Sequence, residues 1–270
     1  MIRFGFSYSD NLKTYDLERL YIEGLRVLEL SSQTPKDFIK SARFLQFEFT
    51  FHVNFLRGMN PSYPIEDIRR SIVSEMIKEI EYAKDLGAYN ITVHGGYISW
   101  FDFIDENLAE YKDYDEIAQK ERMLHLKALK ESLEEIIDRF SNVKISVENL
   151  YFPFELLNNP YELKDFVYQF NKLYITLDFG HAKISKYRIF DYVNLVSDRI
   201  AKLHLHTNDG KYDLHRPIES DLIDNDFSDS LIKLNSLDKE IIGIIELHRD
   251  YSAISKSFKN IKNLLGGGVV

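Results

Sequence analysis

Short apolar runs rich in Ile, Val, Thr and Phe recur along this 270-residue chain, and from the third onward they stop on histidine or a carboxylate. They read FTFHVN at His52, ITVHGG at His94, ISVENL at Glu148, ITLDFGH at Asp178 and His181, KLHLHTND at His204 and His206, and IIGIIELH at Glu246. Asp213-Leu-His215 follows the seventh run. Runs of this kind, bounded by Gly, Asn or Asp, are strand signals. Strands are predicted near 2–8, 26–31, 48–54, 90–95, 144–148, 173–178, 201–206 and 241–247. Helical patterns lie between them. One runs from about Ile65 to Leu86 on Ile68, Ile72, Met76, Ile80 and Ala83, and stops at Gly87. Another runs from about Ile117 to Phe140 on Met123, Leu126, Leu129, Leu133, Ile136 and Ile137. Shorter ones lie near 15–24, 35–44, 161–170, 190–198, 228–236 and 253–264. Eight strands alternating with eight helices predict an α/β fold, a single (β/α)8 TIM barrel over residues 1–265. The tail 266–270, GGGVV, is expected to be disordered. An open doubly wound sheet is the rival, but it does not gather the ends of strands three to eight around one centre.

Composition narrows the partners. No run of about 18 apolar residues is present, so no membrane span is expected. The opening MIRFGFSYSD has no basic region followed by an apolar stretch, so no signal peptide is expected. There are no cysteines, which rules out disulfides and thiolate zinc sites and fits a cytoplasmic protein. The net charge of −9 argues against nucleic acid, which favours a basic face. The segment Tyr97–Asp115 is an acidic-aromatic insertion after the fourth strand, placed by the barrel on the active-site face. Trp100 within it could stack on a sugar ring, against the commoner reading of a satellite hydrophobic cluster.

Side chains at the carboxyl ends of barrel strands point into one crevice. Glu148, Asp178, His204 and Glu246 fall on strands five to eight. A buried carboxylate is costly unless paired or metal-bound. Salt bridges at the rim are the bland alternative; with no Lys or Arg taken to alternate with these four inside the strands, a divalent metal is favoured. His204 and His206, two apart, face the same way. With His52, His94, His181, Asp213 and His215 the candidate ligands number nine, too many for one ion and enough for two or three. Manganese, zinc, cobalt and magnesium are the candidate ions. His125, inside the long helix, is expected at the surface, and His248 at the rim.

The run from HVNFLRGMN through ITVHGG, SVENL, LDFGHA, LHLHTNDGKYDLH and IIEL resembles the xylose isomerase-like barrel superfamily over nearly the whole chain. That group contains sugar isomerases and 3-epimerases, inositol-catabolism enzymes and apurinic endonuclease IV enzymes. In the epimerase branch one divalent ion is held by Glu, Asp, His and Glu, which the resemblance places at Glu148, Asp178, His204 and Glu246, with the two glutamates moving the substrate proton. In the endonuclease branch three zinc ions use nine ligands, and all nine positions find a match. The Gly-Ser-His opening of the endonucleases is missing, and their glycines after Asp-x-His are replaced by RPIESDLID from Arg216 to Asp224. Phe55 and Leu56 fall where endonucleases place DNA-wedging side chains.

The expectation is therefore a metal-dependent isomerase or epimerase of a sugar, sugar phosphate or polyol. Glu148 and Glu246 are its catalytic pair, and His94, His181, His206, Arg216 and Trp100 its substrate contacts. One tight ion is expected, with up to three possible, because Arg216 beside His215 would disfavour another cation there. A trinuclear-zinc apurinic/apyrimidinic phosphodiesterase is the alternative, and a non-catalytic metal- or sugar-binding barrel the third reading.

Overall fold

The computed structural model describes residues 1–56, 58–98, 114–219 and 221–266. Eight parallel strands close into a barrel in sequence order: β1 (Ile2–Ser7), β2 (Val27–Leu30), β3 (Glu48–His52), β4 (Asn90–His94), β5 (Lys144–Glu148), β6 (Leu173–Asp178), β7 (Ile200–Leu205) and β8 (Ile241–Ile245). The described helices are α1 (Thr14–Glu23), α2 (Lys36–Phe44), α3 (Glu66–Leu86), α4 (Tyr114–Arg139), α5 (Pro160–Val167), α6 (Phe179–Ile184), α7 (Ile189–Val196), α8 (Asn225–Asn235) and α9 (Tyr251–Leu264). The chain is thus a (β/α)8 barrel, as the alternation predicts.

Local chemistry sets the helix ends. Asn159, Asp224 and Asp250 accept from the backbone N–H of Glu162, Phe227 and Ala253, capping α5, α8 and α9. Gly24 and Gly87 end α1 and α3 in the left-handed conformation, with φ of 113° and 90°. The one unexpected helix, α6, is capped by Asp178 at the end of β6, whose side chain accepts from His181 N–H at 2.7 Å.

The buried faces differ in detail from those expected. On α3 the buried stripe is Arg69, Val73, Met76, Ile77, Ile80 and Ala83, while Ile68 is exposed. On α4 Met123 is 71% exposed, and Leu129, Leu133 and Ile136 are buried together with His125. His125 lies one turn before Leu129 on the same face, so the expected surface histidine is a core residue. Its Nδ1 is 3.3 Å from Ser62 Oγ, and burial pushes its pKa down to about 4. Of the expected insertion, residues 99–113, including Trp100, lie outside the described residues. Tyr97 pairs with Glu155, Ile98 N donates to Phe154 O at 2.8 Å, and Tyr114 and Asp115 already belong to α4. Of the tail, 267–270 lie outside the described residues. No helix among the described residues is long and apolar enough to cross a membrane.

Strand alternation divides the apolar residues. Phe4, Phe6, Leu28, Phe49, Ile91, Val147, Leu177 and Leu203 face outward and pack against the helix layer in the main core. Inside the barrel Val27, Ile242 and Ile244 form a small buried apolar cluster, with Tyr89 packed against it. The facing wall is polar. Thr92 Oγ1 and Thr176 Oγ1 are 2.8 Å apart, Ser146 donates to Asn90 at 3.1 Å, and Lys202 reaches Glu29 across the interior. This polar column runs directly under the carboxyl-end histidines and carboxylates.

Candidate metal centre

The register of the parallel strands aligns the site. His94 is paired with Glu148 across β4 and β5, and Asp178 with His204 across β6 and β7. Glu148, Asp178, His204 and Glu246 each offer a donor atom within 4.8 Å of the others. His204 is turned with Nδ1 toward this group, 2.8 Å from Glu148 Oε1, 3.0 Å from Glu246 Oε2 and 3.8 Å from Asp178 Oδ2. Two further groups adjoin it. His52 and His94 place Nε2 at 3.1 and 3.0 Å from Glu148 Oε2, so Glu148 is shared between two groups. His206, Asp213 and His215 form the third, with His215 Nε2 at 3.0 Å from Asp213 Oδ2. His181 Nε2 also faces Asp213 Oδ2, at 3.3 Å. All nine predicted ligand positions thus lie at one end of the barrel.

The loop after β7 carries Asp213 and His215 back over the mouth. Thr207 and Arg216 exchange backbone hydrogen bonds of 3.0 and 2.8 Å, closing it as a hairpin. His215 sits at φ 42°, a conformation most side chains avoid, with Nδ1 held 3.1 Å from Glu246 O and Nε2 left toward Asp213. Arg216 itself is exposed, and its charge acts on Asp209. The expected fixed positive charge beside His215 therefore does not line the third group.

Electrostatics show why these groups want a counter-charge. Burial alone would raise the Glu148 and Glu246 carboxyls, but His204 and the other histidines hold both well below the usual range. Burial would lower His181 and His204, but the surrounding carboxylates, led by Asp178 and Glu246 respectively, hold both well above the usual imidazole value. His215 is pushed up to about 9 against its burial, chiefly by Asp213. His52 is raised and His94 lowered although both touch Glu148; Glu29 acts on His52 in addition. His181, His204 and His215 and the carboxylates around them thus favour each other's charged forms.

The donor set fits a divalent ion. Imidazole nitrogens and carboxylate oxygens, without thiols, suit manganese, zinc or cobalt. Asp213 Oδ1, His206 Nδ1 and His204 Nε2 are buried without an aligned hydrogen-bond partner, although each belongs to a residue of the three groups. Asn149 anchors the framework. Its side chain accepts from Asp178 N at 2.7 Å and donates to Asp178 O at 3.0 Å, and its carbonyl lies 2.9 Å from His181 Nδ1.

Beside the central group lies a cleft of about 350 Å³ lined by Ser7, Ser9, Asp10, Glu29, Ser31, Gln33, Asn54, Phe55, Glu246 and His248, among others, with no Lys or Arg among the described residues of its wall. The Glu246 side chain, 16% exposed, opens onto it, whereas that of Glu148 is 1% exposed. Phe55 stacks on His94 with ring centres 4.0 Å apart, and Tyr151 lies 4.8 Å from His181.

Three contributors escaped the sequence reading: Asn149, Glu29 and Lys202. Glu29 and Lys202 are fully paired inside the barrel, and Glu29 Oε2 lies 3.0 Å from His204 Nε2. Lys202 alternates with His204 on β7, so a cation does stand among the strand-end ligands, contrary to expectation. The signal was present in VLEL and AKLHLH, where a charge interrupts an apolar run. Burial would raise the Glu29 carboxyl, but Lys202 and His204 bring it down to about 2.

The closed barrel is that of the xylose isomerase-like TIM barrels. The chain belongs to that family, whose sequence pattern matches residues 15–262. The uncharacterised protein MJ1614 of Methanocaldococcus jannaschii is 28% identical over 232 residues, 84% of this chain and 81% of that protein. Among solved structures, a D-tagatose 3-epimerase-like protein superposes over 100% of both chains with a TM-score of 0.75 and 24% identity. Endonuclease IV from Thermus thermophilus superposes over 98% of this chain and 100% of its own, with a TM-score of 0.67 and 16% identity. These likenesses establish the shared fold.

Proposed function

We propose that this protein is a divalent-metal-dependent isomerase or epimerase of a sugar or polyol. The observation that carries the reading is the convergence of Glu148, Asp178, His204 and Glu246 beside a cleft that Glu246 lines, whose wall carries hydroxyls and amides and, among the described residues, no Lys or Arg. Such a wall matches the hydroxyls of a neutral sugar better than the phosphates of a nucleic acid. The four residues would hold one ion tightly. A divalent ion there would polarise a carbonyl and the adjacent hydroxyl, which lowers the cost of removing the proton between them. Glu246, the more open carboxylate, takes or returns that proton at its Oε atoms. Glu148 serves the opposite face and is kept ionised by His52, His94 and His204. Ser7, Ser9, Gln33 and Asn54 orient hydroxyls, and Phe55 covers an apolar ring face. His94, His181 and His206 complete the contacts around the reacting end.

A second reading rests on a different observation: eight of the nine candidate ligands, with His206 in place of His181, fall into three adjoining groups that share Glu148, an arrangement that three zinc ions of a phosphodiesterase could use. One experiment separates them. The metal-loaded protein is incubated in D2O with a panel of aldoses, ketoses and polyol-derived ketones, and in parallel with an abasic-site duplex. Deuterium entering a carbon-bound position of a sugar, seen by NMR with product formation, is the expected result. Strand cleavage at the abasic site, with no exchange into any sugar, overturns the proposal in favour of the second reading.

A further inference from the structure

We propose that Glu29 and Lys202 act as a positioning pair for His204, and so set how tightly the central group takes its ion. The inference rests on the central group being a metal site, and concerns residues that are not among the ion's donors in that reading, although Glu29 also reaches the wall of the cleft.

Lys202 is 0% exposed and Glu29 3% exposed, and their side chains meet across the barrel interior, although β2 and β7 are not neighbours in the sheet. Thr50 Oγ1 donates to Glu29 Oε1 at 3.3 Å. The other carboxylate oxygen, Oε2, lies 3.0 Å from His204 Nε2. The carboxylate is off the axis of the ring N–H, so the contact is ionic and Nε2 has no aligned acceptor. His204 is therefore gripped at both ends. Nδ1 faces Glu148 and Glu246 at 2.8 and 3.0 Å, and Nε2 faces Glu29.

Stability alone is a poor reason for this pair. A buried ion pair often does no better than apolar residues of similar volume. The same interior shows the apolar solution next door, where Val27, Ile242 and Ile244 pack together. Lys202 is in register with Ile242 on β8, and His204 with Ile244. The charges thus occupy the layer directly beneath the ligands, on the side where a ligand histidine turns its second nitrogen.

The chemistry of ligand histidines explains the placement. An imidazole can give its lone pair at Nδ1 only if the remaining proton sits on Nε2, and a carboxylate behind Nε2 favours that tautomer and strengthens the donor. Glu29 supplies the carboxylate. Lys202 supplies the opposite charge, which holds Glu29 in place and stops it from adding a fourth anion to Glu148, Asp178 and Glu246. His206, just past the end of β7, has no hydrogen-bond partner at Nδ1 among the described residues. The central group is thus set apart from the third group by what lies behind its histidine.

The test uses the full chain and zinc or manganese alone, without substrate. Glu29→Leu/Lys202→Met removes both charges together and keeps the interior filled. Zinc affinity at the tightest site is measured by chelator competition, and the His204 ring is followed by long-range 1H–15N NMR of the zinc form, assigned with His204→Asn. The double variant is expected to fold, to bind zinc about 10–100-fold more weakly, and to lose the wild-type Nε2–H signature of His204. Glu29→Gln/Lys202→Met, which keeps an uncharged acceptor, is expected to fall between it and wild type and serves if the first variant does not fold. Affinity within about threefold of wild type in a folded double variant, with an unchanged His204 spectrum, overturns the inference and leaves the proposed function standing. A wild-type protein that binds neither ion removes the metal reading, and this inference with it.

Discussion

Gly180 offers the sharpest test of the packing around the third group. A Cβ at this position would lie 2.0 Å from His206 Cε1 and 2.6 Å from both of its ring nitrogens. Carbon atoms pack at about 3.5 Å or more, so Gly180→Ala forces the ring back by roughly 1.5 Å. The ring has nowhere to go. It is buried, its Nε2 lies 3.2 Å from Asp178 Oδ2, and its other side stacks on His215 at 4.2 Å. Overpacking of this kind costs about 1–3 kcal/mol. Losing the contact with the Asp178 side chain adds about 1.5–3 kcal/mol. Together they amount to about 2.5–6 kcal/mol, which at about 2 °C per kcal/mol for a chain of this length lowers the melting temperature by roughly 5–12 °C. Thermal unfolding of the chelator-treated protein reads this directly. His206→Ala should make room for the new methyl, so Gly180→Ala/His206→Ala should be less unstable than the two single effects combined, by at least about 1 kcal/mol. A single variant melting within about 2 °C of wild type would refute the close approach and the placement of His206 beside Asp178.

Glu246→Gln keeps the shape and removes the charge, so it should weaken the tight ion and abolish sugar turnover; near wild-type deuterium exchange would exclude Glu246 as the proton carrier. The metal-free protein should lose stability in alkali. His215 is held at about 9, above its ordinary value of 6.5, so its contribution is complete below pH 6.5 and disappears as pH rises through 9. That contribution is worth about 3 kcal/mol, and the depressed Asp213 carboxyl is the same interaction seen from its partner and is not added to it. Melting curves at pH 6.5 and 9.5 check it, and His215→Gln should flatten the difference; a flat wild-type profile contradicts the His215–Asp213 pairing. Phe55→Ala removes the ring stacked on His94 at 4.0 Å. Because Phe55 is 44% exposed, stability should fall by only about 0.5–1.5 kcal/mol, while the Michaelis constant for sugar should rise with little change in maximal rate; unchanged substrate affinity would remove Phe55 from the cleft's function.

The barrel, and the gathering of nine candidate ligands at its mouth, were legible because they follow from one-dimensional rules. A strand buried on its helix-facing side reads as an apolar run, and its last residue stands at the mouth whatever the neighbouring strands do. Helix faces were less legible. On α3 the spacing Ile68–Ile72–Met76 competes with Arg69–Val73–Met76, and the structure buries the second because Arg69 pairs with Glu131 on α4, at 2.6 Å. Periodicity alone prefers the isoleucine. His125 was misplaced for the same reason: a polar residue on a core face is invisible until its partner, Ser62, is known from another element. The α6 helix starts at a cap, Asp178, which the sequence offered equally as a metal ligand.

The pair Glu29–Lys202 marks where reading one strand at a time fails. Each residue looks like an ordinary interruption of an apolar run, and 173 positions separate them in the chain. Only closure of the barrel brings β2 opposite β7 across the interior and turns two isolated charges into one neutral unit. That has a consequence for how the site is built. If the ligands alone defined the centre, the polar column beneath them would be replaceable by the packing of Val27, Ile242 and Ile244. Thr50 and Lys202 instead converge on Glu29, and Glu29 on His204, so the charge that reaches the mouth is arranged one layer below it. The interior of this barrel is therefore both core and support, and a change there should be read first at the ion and only then in the stability of the fold.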